Sequence, residues 1–251
     1  MVTGSSRGIG RAIALEFAGA GANVVVHARS RGELAEETAA EVRACGGEAL
    51  AVVADLSDSA GRDALLTATV GAGLPVSVWV NNAGVDVLTG AAASWTFAEK
   101  LAALWAVDVA ATIELSRAAG AAMRDGRGGV ILNMGWDQAA SGMAGDSGEM
   151  FATVKGAVAA FTCSLAKSLA PRVRVNCLAP GWIRTAWGDD ASPYWQARAQ
   201  AEALVGRWGE PRDVARAALF LASPAGEFVN GQVLAINGGF AGHAPAGREG
   251  E

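Results

Sequence analysis

Side chains that commonly do chemistry are scarce in this sequence. It holds one tyrosine, Tyr194, two histidines, His27 and His243, and three cysteines, Cys45, Cys163 and Cys177. With no Cys/His cluster, no metal site is expected. Cysteines that are odd in number and widely spaced suit reduced thiols, and so a cytoplasmic protein. No apolar run approaches the ~20 residues of a membrane span. No basic start followed by an apolar stretch marks a secretory leader either. Positive charge is also short: the net charge is −5 with no basic stripe, so nucleic acid is not an expected partner.

What is present is apolar and alternating. At 251 residues and 51% hydrophobic content, the chain can bury one substantial core. A single domain over 1–241 and a flexible tail over 242–251 are expected. Val24–Val26, Leu50–Ala54, Val76–Val80, Val130–Met134, Val173–Leu178 and Val233–Ile236 read as strands. Between them, Arg31–Cys45, Ser57–Gly71, Trp95–Met123, Met150–Leu169 and Pro211–Ala222 have helical spacing. Continuous apolar strands alternating with helices predict an α/β fold, a doubly wound parallel sheet covered on both faces. Ligands of such sheets bind beyond the carboxyl ends of the strands.

The stretch Thr3–Gly10, TGSSRGIG, opens straight into a helical pattern. Its glycines, Gly4, Gly8 and Gly10, suit a turn whose backbone comes close to a ligand. Free N–H groups and the positive end of the following helix make it an anion site fit for a pyrophosphate. Only Met1 and Val2 precede this turn as strand, against the usual five or six residues. The first strand is therefore expected to be truncated, or its true start to lie upstream. A misplaced start is the favoured reading, because a stunted central strand leaves neighbouring ladder groups unpaired.

In order and spacing, several short motifs resemble the short-chain dehydrogenase/reductase family along nearly the whole chain. They are Thr3–Gly10, Asp55-Leu56, Asn81–Gly84 (NNAG), Lys155, Asn176, Pro180–Thr185 (PGWIRT), Gly206–Pro211 and Gly231–Gly239. The resemblance implies a Rossmann-type sheet of about seven parallel strands, binding NAD or NADP. It also implies a homotetramer or homodimer built on two long central helices, and a small-molecule substrate. Among the cofactor-binding residues it implies are Gly4, Ser6, Arg7, Gly8, Ile9, Gly10, Leu56, Pro180, Gly181 and Lys155. Asp55 resembles the adenine contact, Asn82, Ala83 and Gly84 the wall beside the adenosine and ribose, and Ile183 and Thr185 the hold on the nicotinamide carboxamide.

The choice of dinucleotide follows from charge. An acid about 20 residues past the glycines holds the ribose 2′-hydroxyl of NAD, and an arginine accommodates a 2′-phosphate. Here Ala28 stands where the family's acid would, followed by Arg29 and, two residues on, Arg31. Arg7 can approach the same phosphate, so NADP is favoured over NAD.

The chemical half departs from the family. Its Tyr-x-x-x-Lys pair reads Phe151-Ala152-Thr153-Val154-Lys155, its serine is missing, and Asp108 stands where it has asparagine. A positioned general acid contributes about 10²–10⁴ in rate, which an iminium acceptor would not need. Asp137 is either a replacement acid, raised in pKa beside Trp136, or a surface carboxylate. Tyr194, in the segment 186–205 that in this family closes over substrate, is either a phenol brought from above or a packing residue. Asp146 and Glu149 suit a helix start, and Ser141 and Ser147 are poorly spaced for the serine's role. Trp136, Trp182, Trp187 and Trp195 flank the expected cleft, either to stack on an apolar or aromatic ligand with Phe151 and Tyr194 or to fill core and subunit contacts.

The favoured reading is an NADP-dependent oxidoreductase that uses Lys155, Asp137 and Asp108 on an apolar or aromatic carbonyl or imine-like substrate. The alternatives are a non-redox acid/base enzyme, such as an isomerase, dehydratase or cyclase, and a catalytically silent cofactor-binding protein.

Overall fold

The computed structural model describes residues 1–242, with the side chain of Trp187 outside the description. The predicted tail from 243 onward, His243 included, lies outside the described residues. Among the described residues six strands are present: β1 (Val24–Ala28), β2 (Ala49–Val53), β3 (Val78–Asn81), β4 (Gly129–Met134), β5 (Val173–Pro180) and β6 (Val233–Ile236). They form two parallel groups, β1 with β2 and β3-β4-β5-β6. Val2 joins them by parallel bridges to Val26 and to Val80. The order is thus β2-β1-Val2-β3-β4-β5-β6, with the bridging residue Val2 at the centre of the sheet. Ladder groups on both sides are nevertheless bonded. The Val2 amide donates to Val25 O at 3.1 Å, the Thr3 amide to Val80 O at 2.9 Å, and the Val80 amide to Met1 O at 2.9 Å.

Each face of the sheet is covered, as the unbroken apolar strands require. On one face lie α1 (Gly8–Gly19), α2 (Gly32–Ala44) and α9 (Pro211–Ala222). They pack Ile13, Phe17, Val42, Val214 and Leu221 on Val26, Val80 and Leu132. The other face carries α3 (Ser59–Leu66), α5 (Thr112–Asp125) and α6 (Asp146–Leu169). Trp79, Leu115, Ile131 and Leu165 are buried there. Successive strand residues point to opposite faces, so Leu132 serves the first core and its neighbours Ile131 and Asn133 the second.

Two expected helices are less regular than their spacing suggests. The expected helix over 95–123 is α4 (Phe97–Leu104), a π-helical segment Trp105–Ala111, and then α5 without a break. The one over 57–71 is α3 continued by π-helical Thr67–Gly71. A π turn inserts an extra residue and redirects the side chains around it, often at a functional site. The helix expected from Met150 begins four residues earlier, so Asp146 and Glu149 occupy its first turn beside the positive end. Beyond β5, short α7 (Ala186–Asp189) and α8 (Pro193–Glu202) form the segment expected over the site. Among the described residues, no helix is long and apolar enough to cross a membrane.

Thr3 fastens the first turn to the loop after β3. Its hydroxyl oxygen accepts the amides of Asn82 and Ala83, both at 2.9 Å, and Thr3 is buried. Replacing Thr3 by valine keeps the shape and strands both amides. By the cost of an unsatisfied buried donor, the loss in unfolding free energy should be about 1–3 kcal/mol, read from urea denaturation. An unchanged midpoint and slope would show that these bonds carry no stability.

Candidate active site

The glycine turn is built for close approach. Gly4 has φ +61°, and a Cβ there would lie 2.9 Å from Ala83 Cα. At Gly10 a Cβ would lie 2.4 Å from both the Gly4 carbonyl oxygen and Asn82 Nδ2. The Asn82 amide in turn donates to Thr3 O at 2.9 Å and Gly4 O at 3.2 Å. No side chain caps α1, whose first-turn N–H groups have no acceptor within the helix. The turn therefore fits a diphosphate, with bare amides and a positive helix end converging on it.

His27, at the end of β1, holds this turn. Its Nδ1 accepts the Gly4 amide at 3.0 Å, while Nε2 faces the Ala54 carbonyl oxygen at 2.9 Å. Nδ1 can accept only on a neutral ring, with the proton on Nε2. Burial pushes the imidazole below its ordinary 6.5, although the Ala54 carbonyl and the Asp55 charge pull upward.

Around the turn, the residues expected at the adenosine end lie at the strand ends. Leu56 is buried, and Asp55 is exposed and accepts the Ser57 amide at 2.9 Å. Partial burial pushes the Asp55 carboxyl up, but the Ser57 hydrogen bonds and the Arg29 charge outweigh it and hold it below the ordinary value. Ala28 ends β1 buried, and Arg29 and Arg31 follow it exposed, as is Arg7 in the turn. Partial burial pushes the Asp86 carboxyl up, but hydrogen bonds from Thr89 and Leu88 outweigh it and hold it below the ordinary value, with the Arg7 charge adding to them.

The deepest charged feature is an ion pair. Lys155 Nζ lies 2.8 Å from Asp108 Oδ1, with side-chain exposures of 11% and 3%. Lys155 also donates to the Met134 carbonyl oxygen at 3.1 Å, at the end of β4. Asp108, in the π-helical segment, accepts the Val85 amide on Oδ2 at 3.1 Å. Gly84 makes room for it, since a Cβ there would sit 3.0 Å from Asp108 Oδ1. The NNAG segment thus touches the glycine turn through Asn82 and the ion pair through Gly84 and Val85.

Phe151, one helical turn before Lys155 on α6, packs edge-on against Trp136 at 6.4 Å between ring centroids. Asp137 takes other partners than Lys155. Its Oδ2 accepts from Asn237 Nδ2 at 3.0 Å and faces Gly181, and its amide donates to Pro180 O at 3.2 Å. Its Oδ1 is buried with no hydrogen-bond partner among the described residues. Burial raises the Asp137 carboxyl, and the Glu202 charge adds to that against the Asn237 hydrogen bond. Asp137 therefore lies beneath the PGWIRT segment, on its own side of the crevice.

That segment is held over the turn. The Arg184 amide donates to Gly209 O and the Gly209 amide to Trp182 O, both at 2.8 Å. Thr185 Cγ2 comes close to the Gly8 backbone, 3.8 Å from where a Cβ would stand. The cover is fastened by Glu202, which accepts from Trp182 Nε1 at 2.7 Å and pairs with Arg198 at 2.8 Å. Arg198 lies over the rings of Trp182 and Trp195, and Tyr194 stacks edge-on against Trp195 at 5.1 Å. The structure thus brings Trp182, Trp195 and Tyr194 together in the cover and pairs Trp136 with Phe151 below; the Trp187 side chain lies outside the described residues. His27, Asn237 and Glu202 were not among the expected site residues. For His27 a signal existed in the sequence, a polar residue closing the β-branched run Val24–Val26.

His27 gives the protein a pH dependence of definite sign. Because its folded pKa lies below 6.5, stability from the neutral ring is complete above 6.5 and is lost as pH falls toward the folded value. Thermal unfolding from pH 8 to pH 5 should show that loss, smaller in His27→Gln than in the parent. Equal slopes in both proteins would exclude His27 as its source.

A family model described as enoyl-(acyl carrier protein) reductase matches residues 4–241. An uncharacterized oxidoreductase of Mycobacterium tuberculosis is 37% identical over 95% of this chain and 90% of its own. A 3-oxoacyl-[acyl-carrier-protein] reductase of Synechocystis is 34% identical over 95% of both chains. The crystal structure of a Burkholderia cenocepacia short-chain dehydrogenase in complex with NADP superposes with a TM-score of 0.83, at 33% identity over 95% of both chains. With the glycine turn, the NNAG clasp and the buried lysine on one parallel sheet, these matches show that the chain belongs to the short-chain dehydrogenase/reductase family.

Proposed function

We propose that this chain is an NADP-dependent oxidoreductase with an atypical active site, acting on an apolar or aromatic carbonyl or imine-like substrate. The reading is carried by the buried pair of Lys155 and Asp108 at 2.8 Å, set between the NNAG clasp and the end of β4. Amides of the Gly4–Gly10 turn would hold the pyrophosphate, and Arg29 with Arg7 a 2′-phosphate. Asp55, Leu56 and Asn82–Gly84 would line the adenosine, and Pro180, Gly181, Ile183 and Thr185 the nicotinamide. When bound, the nicotinamide supplies or takes the hydride.

Lys155 has three N–H donors. Asp108 and Met134 take two of them, and the third is left to hold a cofactor ribose. Protons are a separate matter. Phe151 has no hydroxyl, and Asp137, with its raised pKa and position beneath Gly181, is the acid best placed to serve a carbonyl. An iminium acceptor would need none. Asp137 and Lys155 keep separate partners, which favours hydride chemistry over a direct acid/base pair.

Asp108 also explains why a tyrosine alone would not recreate ordinary carbonyl reduction. A lysine ammonium lowers a neighbouring phenol's pKa through its charge, and a carboxylate at 2.8 Å offsets that charge. With acetophenone and NADPH, followed by NADPH absorbance, Phe151→Tyr should stay slow. The double variant Phe151→Tyr with Asp108→Asn should be faster by about tenfold or more, within the reach of a restored general acid. Full activity in the single variant would contradict this role for Asp108, and failure of the parent to bind NADPH would overturn the reading as a whole.

A second copy of the chain is part of the same proposal. Around α4 the surface exposes Trp95, Phe97 and Trp105, the last at 48%, beside a groove lined by Leu101, Ala102 and Ala106. Exposed apolar side chains beside an apolar groove suit an interface, and a two-fold contact through α4 would cover them. Trp105→Glu should lower the mass measured by light scattering to a smaller species or the monomer. A parent protein that is already monomeric would contradict it.

A further inference from the structure

Two turns below the ion pair, a chain of buried polar side chains runs from α5 to α6 by way of β3 and β4, on one face of the sheet. Trp79 Nε1 donates to Asn81 Oδ1 at 2.8 Å, and Asn81 Nδ2 donates to Ser116 Oγ at 2.7 Å and Asn133 Oδ1 at 2.8 Å. Ser116 Oγ donates to Asn133 Oδ1 at 3.2 Å, Asn133 Nδ2 to Thr162 Oγ1 at 2.9 Å, and Thr162 Oγ1 to Val158 O at 2.8 Å. Asn81, Ser116, Asn133 and Thr162 are all buried, none more than 4% exposed. The directions are mutually consistent: each hydroxyl accepts one bond and donates one, and Asn133 Oδ1 accepts two. Four polar residues in an apolar layer are costly unless satisfied in this way.

Their placement relates them to the site. Ser116 stands two turns along the same helical rod from Asp108, and Thr162 two turns along α6 from Lys155. Asn133 sits between them on β4 and directly precedes Met134, whose carbonyl oxygen accepts from Lys155. Asn81 is the first residue of the NNAG clasp, and the amide of Val85, directly after the clasp, donates to Asp108. One side chain, Asn133, is therefore bonded to the helix of each partner in the ion pair and to the strand before the clasp.

We propose that Asn133, with Ser116 and Thr162 as its two arms, is a positioning residue that sets the separation and direction of Asp108 and Lys155. The inference rests on the reading that this pair serves the cofactor. An apolar contact between α5 and α6 permits sliding along the helices; three directed bonds to one strand residue do not. The register fixed at Asn133 is carried along two stiff helices to the pair.

The test uses the full chain. It has three lysines, Lys100, Lys155 and Lys167, so carbon-13 labelling at lysine Cε gives few resonances, and Lys155→Met identifies the one that matters. Thr162→Val keeps the shape of the side chain and removes the α6 arm. It should shift the Lys155 resonance and weaken NADPH binding, measured by fluorescence, by about tenfold, the scale of one hydrogen bond lost at the cofactor. Thr162→Ser, which retains the hydroxyl, should match the parent in both. A Thr162→Val protein with a lower melting temperature but an unmoved Lys155 resonance and unchanged NADPH affinity would overturn the proposal, leaving Thr162 merely structural. Should Thr162→Val fail to fold, Ser116→Ala cuts the α5 arm and is judged by the same two readings. Should the parent bind no NADPH, the functional reading falls, and the Lys155 resonance alone decides this inference.

Discussion

Two opposite charges 2.8 Å apart in a nearly dry place, Lys155 and Asp108, place demands on every element that meets them. Removing a carboxylate and an ammonium from water costs several kcal/mol per ion, and their attraction repays it only with good geometry and with their remaining donors and acceptors bonded. Here the Val85 amide satisfies the second carboxylate oxygen, and the Met134 carbonyl takes a second lysine proton. Each requirement constrains an element: the NNAG loop must return to the π-helical segment, and β4 must end at Met134. Gly84 must lack a side chain, and two helices must keep their register. The crevice is shaped by what this pair needs.

The same loop ties the pair to the glycine turn. Asn82 bonds the carbonyls of Thr3 and Gly4, and Gly4 in turn depends on His27. The glycine turn, proposed to hold the diphosphate, and the Lys155–Asp108 pair, proposed to serve the reaction, are thus parts of one hydrogen-bonded frame around the bridging residue Val2. In the reacting half, Phe151 leans on Trp136 and the apolar cluster behind it. In the proposed site, then, a ring without a hydroxyl stands one helical turn before a lysine whose charge is balanced by a carboxylate. This combination hangs together electrostatically: a balanced lysine would do little for a phenol, and no phenol is there to be helped.

Much of the fold was legible because its signals are local. The β-branched runs and the glycine spacing at Thr3–Gly10 need no distant partner to be read, and the strands fell within a few residues of expectation. The central strand is a different case. Two residues are too few for a strand pattern, yet Val2 bridges both neighbours because the Met1–Ser5 backbone bonds to β1 and β3 on either side. The contacts that make the site were hidden for the opposite reason. Asp108 and Lys155 are far apart in sequence, and nothing local says that a lysine on one helix meets an aspartate on another. Asn81 was legible as part of the NNAG motif but not as the partner of Ser116 and Asn133, and nothing local to Asn133 or Glu202 points to their contacts, although Glu202 is buried under the cover with Trp182 and Arg198. Asp137 was legible as a carboxylate at the mouth of the crevice; its turn toward Asn237 was not, because that contact joins the ends of β4 and β6.

A crystal structure of the full chain with NADPH tests the account most directly. It should show the pyrophosphate on the amides of the Gly4–Gly10 turn, the 2′-phosphate beside Arg29, and Lys155 still paired with Asp108 while its remaining N–H reaches the nicotinamide ribose. A dinucleotide seated elsewhere, or a Lys155 that has left Asp108 and points away from the ribose, would contradict it.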